Sequence, residues 1–504
     1  MPTVNIKKEQ VLMLLNPRDN VAVTLRDIAD GETLSVKSLQ VTAIEAIARG
    51  HKIALDDLNE NEDIIKYGYP IGHATSPVKK GAWIHTHNAK TNLCGEEEYE
   101  YIPDLHPVTY EKRDLTFDGY CRSNGKVGIR NDLYIVPTVG CVNGIAGQIL
   151  NRFKELYPDY TQRFDNVTIL SHPYGCSQLG DDHAWTRQIL LDAVCHPNAG
   201  GVLVLGLGCE NNIVSEFEKL LGDYDKSRVK FLIAQDVDDE VEDGTQLLTQ
   251  LYDVAKDDKR EPVPISELNI GLKCGGSDGF SGITANPLLG VFSDFLVSQG
   301  GSTVLTEVPE MFGAEKVLMG RAKDKEVFTQ IVDLINDFKA YFLSYNEPVY
   351  ENPSPGNKAG GITTLEDKSL GCTQKSGTSA VIDVLQYGEK IQKKGLSLLQ
   401  APGNDLVASS ALASSDCHMV LFTTGRGTPF GSYVPTAKIA TNTQIFEKKG
   451  HWMDFDAGVL LERSMEDVLE DFIQFVIDIA SGKLTHNEKN EIRELAIFKN
   501  GVTL

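Results

Sequence analysis

Val202-Leu203-Val204-Leu205-Gly206-Leu207-Gly208-Cys209 is an apolar run of strand length that stops at a glycine followed by a cysteine. Similar runs recur at 133–139, 167–171, 229–234, 268–272, 302–308 and 419–423, with helix-length segments between most of them. That alternation predicts βαβ units around mainly parallel sheets, a Rossmann-like α/β architecture, closed by a terminal helix over about 465–480. Upstream, the short runs Val21–Leu25, Lys52–Leu55 and Trp83–His87 are separated by glycine and aspartate turns, which predicts a small β domain. Residues 94–115 sustain neither period and read as a linker. Pro262 and Pro264 mark a further boundary, because proline interrupts regular structure. The expected organisation is therefore 1–93, a linker over 94–115, a middle α/β domain over 116–262 and a carboxy-terminal α/β domain over 263–504.

The chain has 504 residues, with 71 acidic against 48 basic side chains and a net charge of -23. Such a surface repels polyanions, so neither nucleic acid nor an anionic membrane is expected as a partner. An anionic ligand would need its own local Lys, Arg, backbone N–H or metal charge. The first fifteen residues carry Lys7, Lys8 and Glu9 and build no apolar signal core, so a cytoplasmic location is expected. Nine cysteines without a leader argue for free thiols.

Four of those cysteines, Cys141, Cys176, Cys209 and Cys274, each follow an expected strand and adjoin glycine. Carboxyl ends of parallel strands are where α/β folds place ligands, and thiolates there suit soft metals. Packing is the competing reading, since free cysteine is among the most buried residue types. The glycine-rich stretch from Cys274 to Pro287 offers N–H groups for an anion, together with Ser277, Asp278 and Asn286, and is neither a Walker loop nor GxGxxG. The segment 352–361 presents Asn357 and Lys358 between prolines and glycines. In Thr424-Gly425-Arg426-Gly427-Thr428, Arg426 suits bidentate capture of a carboxylate, with an exposed turn as the alternative. Glu366-Asp367-Lys368 reads as a solvated charge run. His85 and His87 alternate along an expected strand, which would put both imidazoles on one face.

Read in order, these motifs resemble the altronate dehydratase and galactarate dehydratase family over nearly the whole chain. Gly50-His51-Lys52, Tyr67-Gly68-Tyr69-Pro70-Ile71-Gly72, Tyr174-Gly175-Cys176, Gly206-Leu207-Gly208-Cys209-Glu210, the 274–287 loop, Gly425 to Pro429 and Ala496-Ile497-Phe498 carry the likeness. His85-Thr86-His87-Asn88, Cys176 to His183 and the ending Gly501 to Leu504 are similar to the altronate branch. The resemblance implies an amino-terminal β-clip (SAF-like) domain, a middle domain that takes part in homodimerisation and a Rossmann-like carboxy-terminal domain. It also implies an iron-dependent hydro-lyase, with manganese as a possible substitute, that removes water from a sugar acid in hexuronate catabolism. Dehydration beside a carboxylate needs a base for the C2 proton and an acid for the departing C3 hydroxyl. Glu307, Lys358, Glu366, Lys368, His85 and His87 are the candidates for those roles. Ser277, Asp278, Asn286, Asn357, Arg426 and Thr428 are candidates for binding substrate, and the four strand-end cysteines for binding metal. The alternatives are a galactarate or other sugar-acid dehydratase, or a sugar-acid binder without catalysis.

Overall fold

The computed structural model describes residues 10–93 and 95–501. Cys94, the amino-terminal nine residues and the last three therefore lie outside the described residues.

Two parallel sheets dominate. In the middle domain the strand order is Asn166–Ile169, Asp132–Pro137, Ala199–Gly206, Val229–Ile233. All three pairings are parallel, with Ile135 opposite Ile169 and Pro137 opposite Leu205. Asp132–Pro137 is buried along its whole length, which is why its sequence shows an apolar run rather than alternation. The carboxy-terminal sheet has seven strands in the order Val381–Leu385, Leu396–Leu399, Ser302–Leu305, Asn269–Cys274, Met419–Thr424, Thr436–Ala440, Phe455–Asp456, again all parallel. Helix Ala285–Gln299 and the long helix Met465–Ala480, which the sequence reading places last but which the short helix His486–Lys489 follows, cover this sheet, and Phe292 stacks edge-on against Phe472 at 5.3 Å. Ser464 caps the long helix by accepting from the Asp467 N–H.

At three places the structure adds to or changes the reading of the sequence. Pro262 and Pro264 do not end regular structure. They lie in the edge strand Glu261–Pro264, antiparallel to Thr116–Cys121, where a missing N–H on the open side costs no ladder bond. Residues 95–115 form no regular element yet are pinned to the carboxy-terminal domain: Asp104 N–H donates to Gly320 O, Tyr101 Oη to Ala322 O, and Arg113 pairs with Glu470. The third concerns the amino-terminal domain. Its four-stranded antiparallel sheet runs Leu12–Met13, Val21–Thr24, Lys52–Ala54, Trp83–Ile84, so the last strand stops before His85. The Asn88 side chain closes a turn there, accepting from His85 N–H at 3.0 Å and donating to Trp83 O at 2.9 Å.

Candidate active site

The loop after strand Asn269–Cys274, the segment 354–372 and the amino-terminal domain meet with almost no space between backbones. Gly279 donates its N–H to Gly360 O at 2.7 Å, and a Cβ on Gly279 would lie 2.0 Å from Gly50 O. A Cβ on Gly282 would lie 2.2 Å from the Tyr67 hydroxyl. Glycine is required at both positions because the other domain occupies the space of a side chain.

This junction encloses a small polar cavity lined by Lys66 and Tyr67 from the amino-terminal domain and by Ser277, Asp278, Asn286, Asp367, Lys368 and Cys372 from the carboxy-terminal one. Four of the sequence-based candidates, Ser277, Asp278, Asn286 and Lys368, therefore converge. The Ser277 hydroxyl is buried and has no hydrogen-bond partner among the described residues, so it is available to a ligand. Asp278 is committed to its loop, accepting from Ser281 N–H at 3.0 Å, Thr441 Oγ1 at 3.0 Å and Asn442 Nδ2 at 3.1 Å. Asn286 bridges Gly371 O and Thr423 Oγ1, and Asn357 holds Ser277 O through Nδ2 at 2.9 Å. Arg426 is exposed at the rim, 3.3 Å from Gly356 O, and Thr428 only accepts from the nearby Phe430 N–H.

The supposed solvated run 366–368 is instead buried. Asp367 is clamped between two lysines of the amino-terminal domain, Lys52 and Lys66, each at 2.8 Å. Burial pushes the Lys52 ammonium down to about 8, against the pull of Asp367. Lys66 stays above the ordinary lysine value because the Asp367 carboxylate and Tyr67 outweigh its burial. Burial holds the Tyr67 phenol up at about 12. Glu366 accepts from Thr91 Oγ1 at 2.9 Å and from Asn92 N–H, so it ties the amino-terminal domain down. Lys368 pairs with Glu310 at 2.7 Å.

Behind the cavity lies a second charged group. Lys273 bonds Glu307 and Asp405, and Lys375 reaches Glu307 at 3.1 Å and Cys274 Sγ at 2.8 Å. Glu307 sits at φ 72, an uncommon backbone region for a non-glycine residue and one that recurs at functional sites. Cys274 Sγ lies 3.2 Å from Glu310 and 3.3 Å from Cys372 Sγ, and the donor atoms of these three residues lie within 4.8 Å of one another. Burial would raise the Glu310 carboxyl, but Lys368, Lys375 and Lys273 hold it at about 2.

The remaining candidates fall elsewhere. His85 is buried, stacks on Trp83 at 5.2 Å and contacts Thr363 Oγ1 at 3.3 Å; burial first, then Lys52 and the neighbouring histidines, push it down to about 4. His87 is exposed beside the same Trp83. Lys358 is half-buried and has no side-chain partner among the described residues. The four cysteines do not share one sheet edge, as the sequence reading expected: Cys141, Cys176 and Cys209 are exposed in the middle domain, and only Cys274 belongs to the carboxy-terminal sheet. A larger open cleft lined by Trp185, Asp192, Tyr387 and Lys390 contains none of the candidates.

Sequence reasoning missed Lys52, Lys66, Tyr67, Glu310, Cys372 and Lys375. Gly50-His51-Lys52 and Tyr67-Gly68 stand among the family motifs and are the available signal for Lys52 and Tyr67; Lys66 adjoins the second motif and carries none of its own. Cys372 has no glycine-ended strand before it and gave none.

Comparison with known proteins agrees along the chain. Residues 10–92 match the altronate/galactarate dehydratase SAF domain, 119–256 the D-galactarate dehydratase/altronate hydrolase second domain, and 265–503 the D-galactarate/altronate dehydratase carboxy-terminal domain. The chain is 61% identical to altronate dehydratase of Bacillus subtilis (strain 168) over 97% of its length and 99% of that protein. Against altronate dehydratase of Escherichia coli (strain K12) it is 58% identical, over 96% of the chain and 98% of the relative. Galactarate dehydratase (L-threo-forming) of the same bacterium is 34% identical over 96% of each.

Proposed function

Because the chain belongs to the D-galactarate/altronate dehydratase family, we propose that it is a hydro-lyase converting D-altronate to 2-dehydro-3-deoxy-D-gluconate and water. The observation that carries the choice of substrate is the gap between 61% identity to an altronate dehydratase and 34% to a galactarate dehydratase, both over nearly the full chain. The chemistry of the cavity lining supports the reading, since a sugar acid is anionic and the lining offers Lys66 and Lys368 as cations with the unpartnered Ser277 hydroxyl beside them; at about 10 Å³ the closed cavity admits a hexonate only when the junction between the domains opens.

Dehydration takes the proton from C2 and the hydroxyl from C3, and the resulting enol tautomerises to the 2-keto acid. Lys66 and Lys368 bind the carboxylate, with Arg426 at the entrance. Lys52 lies one layer behind the cavity wall, bonded to Asp367 and Gly361 O; pushed down to about 8, it is the nearby amine that sheds a proton closest to neutrality, and we assign it the role of base. Tyr67 keeps its proton until the leaving oxygen needs it. Asp367 holds both lysines in place.

The residues that would hold a ferrous ion are Cys274, Cys372 and Glu310. Their three donor atoms are buried and mutually close, Cys372 lines the cavity, and thiolate donors suit iron better than manganese. When bound, the ion supplies Lewis-acid polarisation of the substrate carboxylate. The same reading includes a homodimer and a cytoplasmic location; among the described residues, no helix is long and apolar enough to cross a membrane.

The test is anaerobic purification, loading with ferrous iron in the presence of a thiol, and assay of D-altronate and galactarate for 2-keto-3-deoxy product. Turnover of D-altronate is expected. Turnover of galactarate alone would transfer the assignment to the sister activity, and iron-loaded, folded protein inactive on both would overturn it.

A further inference from the structure

The three cysteines left out of the active site have a geometry of their own. Cys141, Cys176 and Cys209 follow Asp132–Pro137, Asn166–Ile169 and Ala199–Gly206, three neighbouring parallel strands of the middle sheet, and so stand at the same carboxyl edge. Their loops are tied together within a few residues of each sulfur. Gly140 N–H donates to Tyr174 O at 2.8 Å, Ser177 N–H to Asn211 Oδ1 at 2.7 Å, and Asn212 N–H to Gly175 O at 3.2 Å. Each cysteine follows a glycine that no other residue could replace without displacement: a Cβ would lie 2.8 Å from His172 O at Gly140, 2.1 Å from Thr138 O at Gly175, and 2.7 Å from Gln235 Oε1 at Gly208. Gly175 and Gly208 also have φ of 97 and 124. These are tightly constructed loops, yet all three thiols they carry are exposed. Cysteine without a task is usually buried.

A second observation points to something bound there. The same loops and the turn of helix that follows hold two buried side-chain nitrogens with no hydrogen-bond partner among the described residues, Gln178 Nε2 and His183 Nε2. Gln178 is 3% exposed, and its Oε1 accepts from Gly175 N–H at 3.0 Å, which leaves the amide group next to Cys176 unpaired. A buried amide N–H without a partner is unfavourable, and the Gln178 amide, two residues from Cys176, is one that a bound acceptor would satisfy. The loops also run into the amino termini of helices Asn143–Leu156, Gly180–Val194 and Val214–Leu221, which favour negative charge.

We propose that Cys141, Cys176 and Cys209 hold a four-iron, four-sulfide cluster at the carboxyl edge of the middle sheet. The three sulfurs are set wider than one ion needs: two thiolates on one ion stand only about 4 Å apart, and Cys141, Cys176 and Cys209 do not form a set of donors within 4.8 Å of one another, as Cys274, Glu310 and Cys372 do. A cubane cluster binds each cysteine through a different iron and so spreads the sulfurs further apart. The unpaired Gln178 amide and helix N–H groups then donate to cluster sulfides or thiolates. Three protein ligands leave the fourth iron open to an oxygen donor such as water or a hydroxy acid. Transfer of a preassembled cluster balances without an oxidant: each cysteine thiol gives its proton to the departing small thiolate and forms one iron–sulfur bond, with the cluster oxidation state unchanged.

The experiment exposes the anaerobic full-length protein to a synthetic four-iron cluster ligated by 2-mercaptoethanolate. Protein-bound iron and acid-labile sulfide are then measured, along with the electron paramagnetic resonance signal after reduction. The wild type should retain about four sulfides per chain. Cys141→Ser, Cys176→Ser and Cys209→Ser should each bring sulfide and signal close to background, with melting temperatures of the cluster-free proteins unchanged. Cys121→Ser, an exposed cysteine on the antiparallel ribbon, should bind as the wild type does. Sulfide is the deciding quantity, because iron at Cys274, Glu310 and Cys372 would bring none. A wild type that binds no sulfide, or a triple variant that binds as much as the wild type, overturns the proposal.

Discussion

Replacing Asp367 by asparagine should loosen the amino-terminal domain more than any other single isosteric change. The side chain keeps its volume but loses the charge that two buried ammonium groups share, at 2.8 Å on each side. At an effective dielectric constant of about 20, each contact is an attraction of roughly 6 kcal/mol before desolvation. The net penalty for orphaning a buried charge is about 3–5 kcal/mol. The two lysines do not share that penalty equally. Lys52 already sits at about 8, so shedding its proton at pH 7 limits its part to about 1.4 kcal/mol, the value of one pKa unit. Lys66 is held above its ordinary value by the carboxylate and has no such escape, so it carries most of the loss. The sign with pH follows. A lysine whose folded pKa is lowered binds fewer protons folded than unfolded, so it adds stability as pH rises from about 8 towards the unfolded value near 10.4. In Asp367→Asn that rise should begin below pH 8. Calorimetry across pH 6–9 and hydrogen exchange over Lys52–Ala54 and Asp63–Lys66 would measure both effects. A variant with wild-type melting temperature and unchanged exchange in those strands would refute the idea that this carboxylate clamps the domains.

The remaining expectations concern activity. If Lys52 is the base, log kcat/KM for D-altronate should climb with pH and level off near 8, and Lys52→Arg should lose about 100-fold or more while the fold is retained; a flat profile between pH 6 and 9 would exclude Lys52. Arg426→Lys keeps the charge at the rim but loses the planar fork, a change of about 1.5–3 kcal/mol that should appear mainly as a raised KM; unchanged kinetics would make Arg426 a surface residue. Gly279→Ala places a methyl 2.0 Å from Gly50 O, where neither backbone can yield, and should cost about 1–3 kcal/mol and speed proteolytic release of the amino-terminal domain.

The sheets were legible because burial leaves a local mark. Strands such as Asp132–Pro137 and Met419–Thr424 are buried at every position, and that alone dictates a continuous apolar run. The long helix Met465–Ala480 is legible for a similar reason, since Phe472, Phe475 and Val476 follow its period onto the core. The glycine-rich loop announces itself by composition, and at Gly279 another backbone, that of Gly50, arrives where a side chain would stand. What failed was whatever depends on a distant partner. His85 and His87 alternate like strand residues, but the Asn88 side chain folds the chain into a turn, and that bond competes locally with the ladder. The four cysteines share one local pattern, yet that pattern recurs on two separate sheets, and nothing in it says which sheet a strand joins.

The charge run 366–368 shows why the site itself was the least legible part. Glu366 and Asp367 look like surface residues because, within the carboxy-terminal domain, no group neutralises Asp367; its two counter-ions arrive from 315 and 301 residues upstream. The donors to Glu366 come from Thr91 and Asn92 in that same upstream domain. A buried carboxylate without a cation is strongly unfavourable, so the carboxy-terminal domain alone would have to protonate Asp367 or expose it. Docking of the amino-terminal domain therefore both closes the cavity and fixes the charge state of its wall. The small β domain is thus a structural part of the site, and a chain lacking it would lose Lys52, Lys66 and Tyr67 together with the carboxylate geometry that these residues hold.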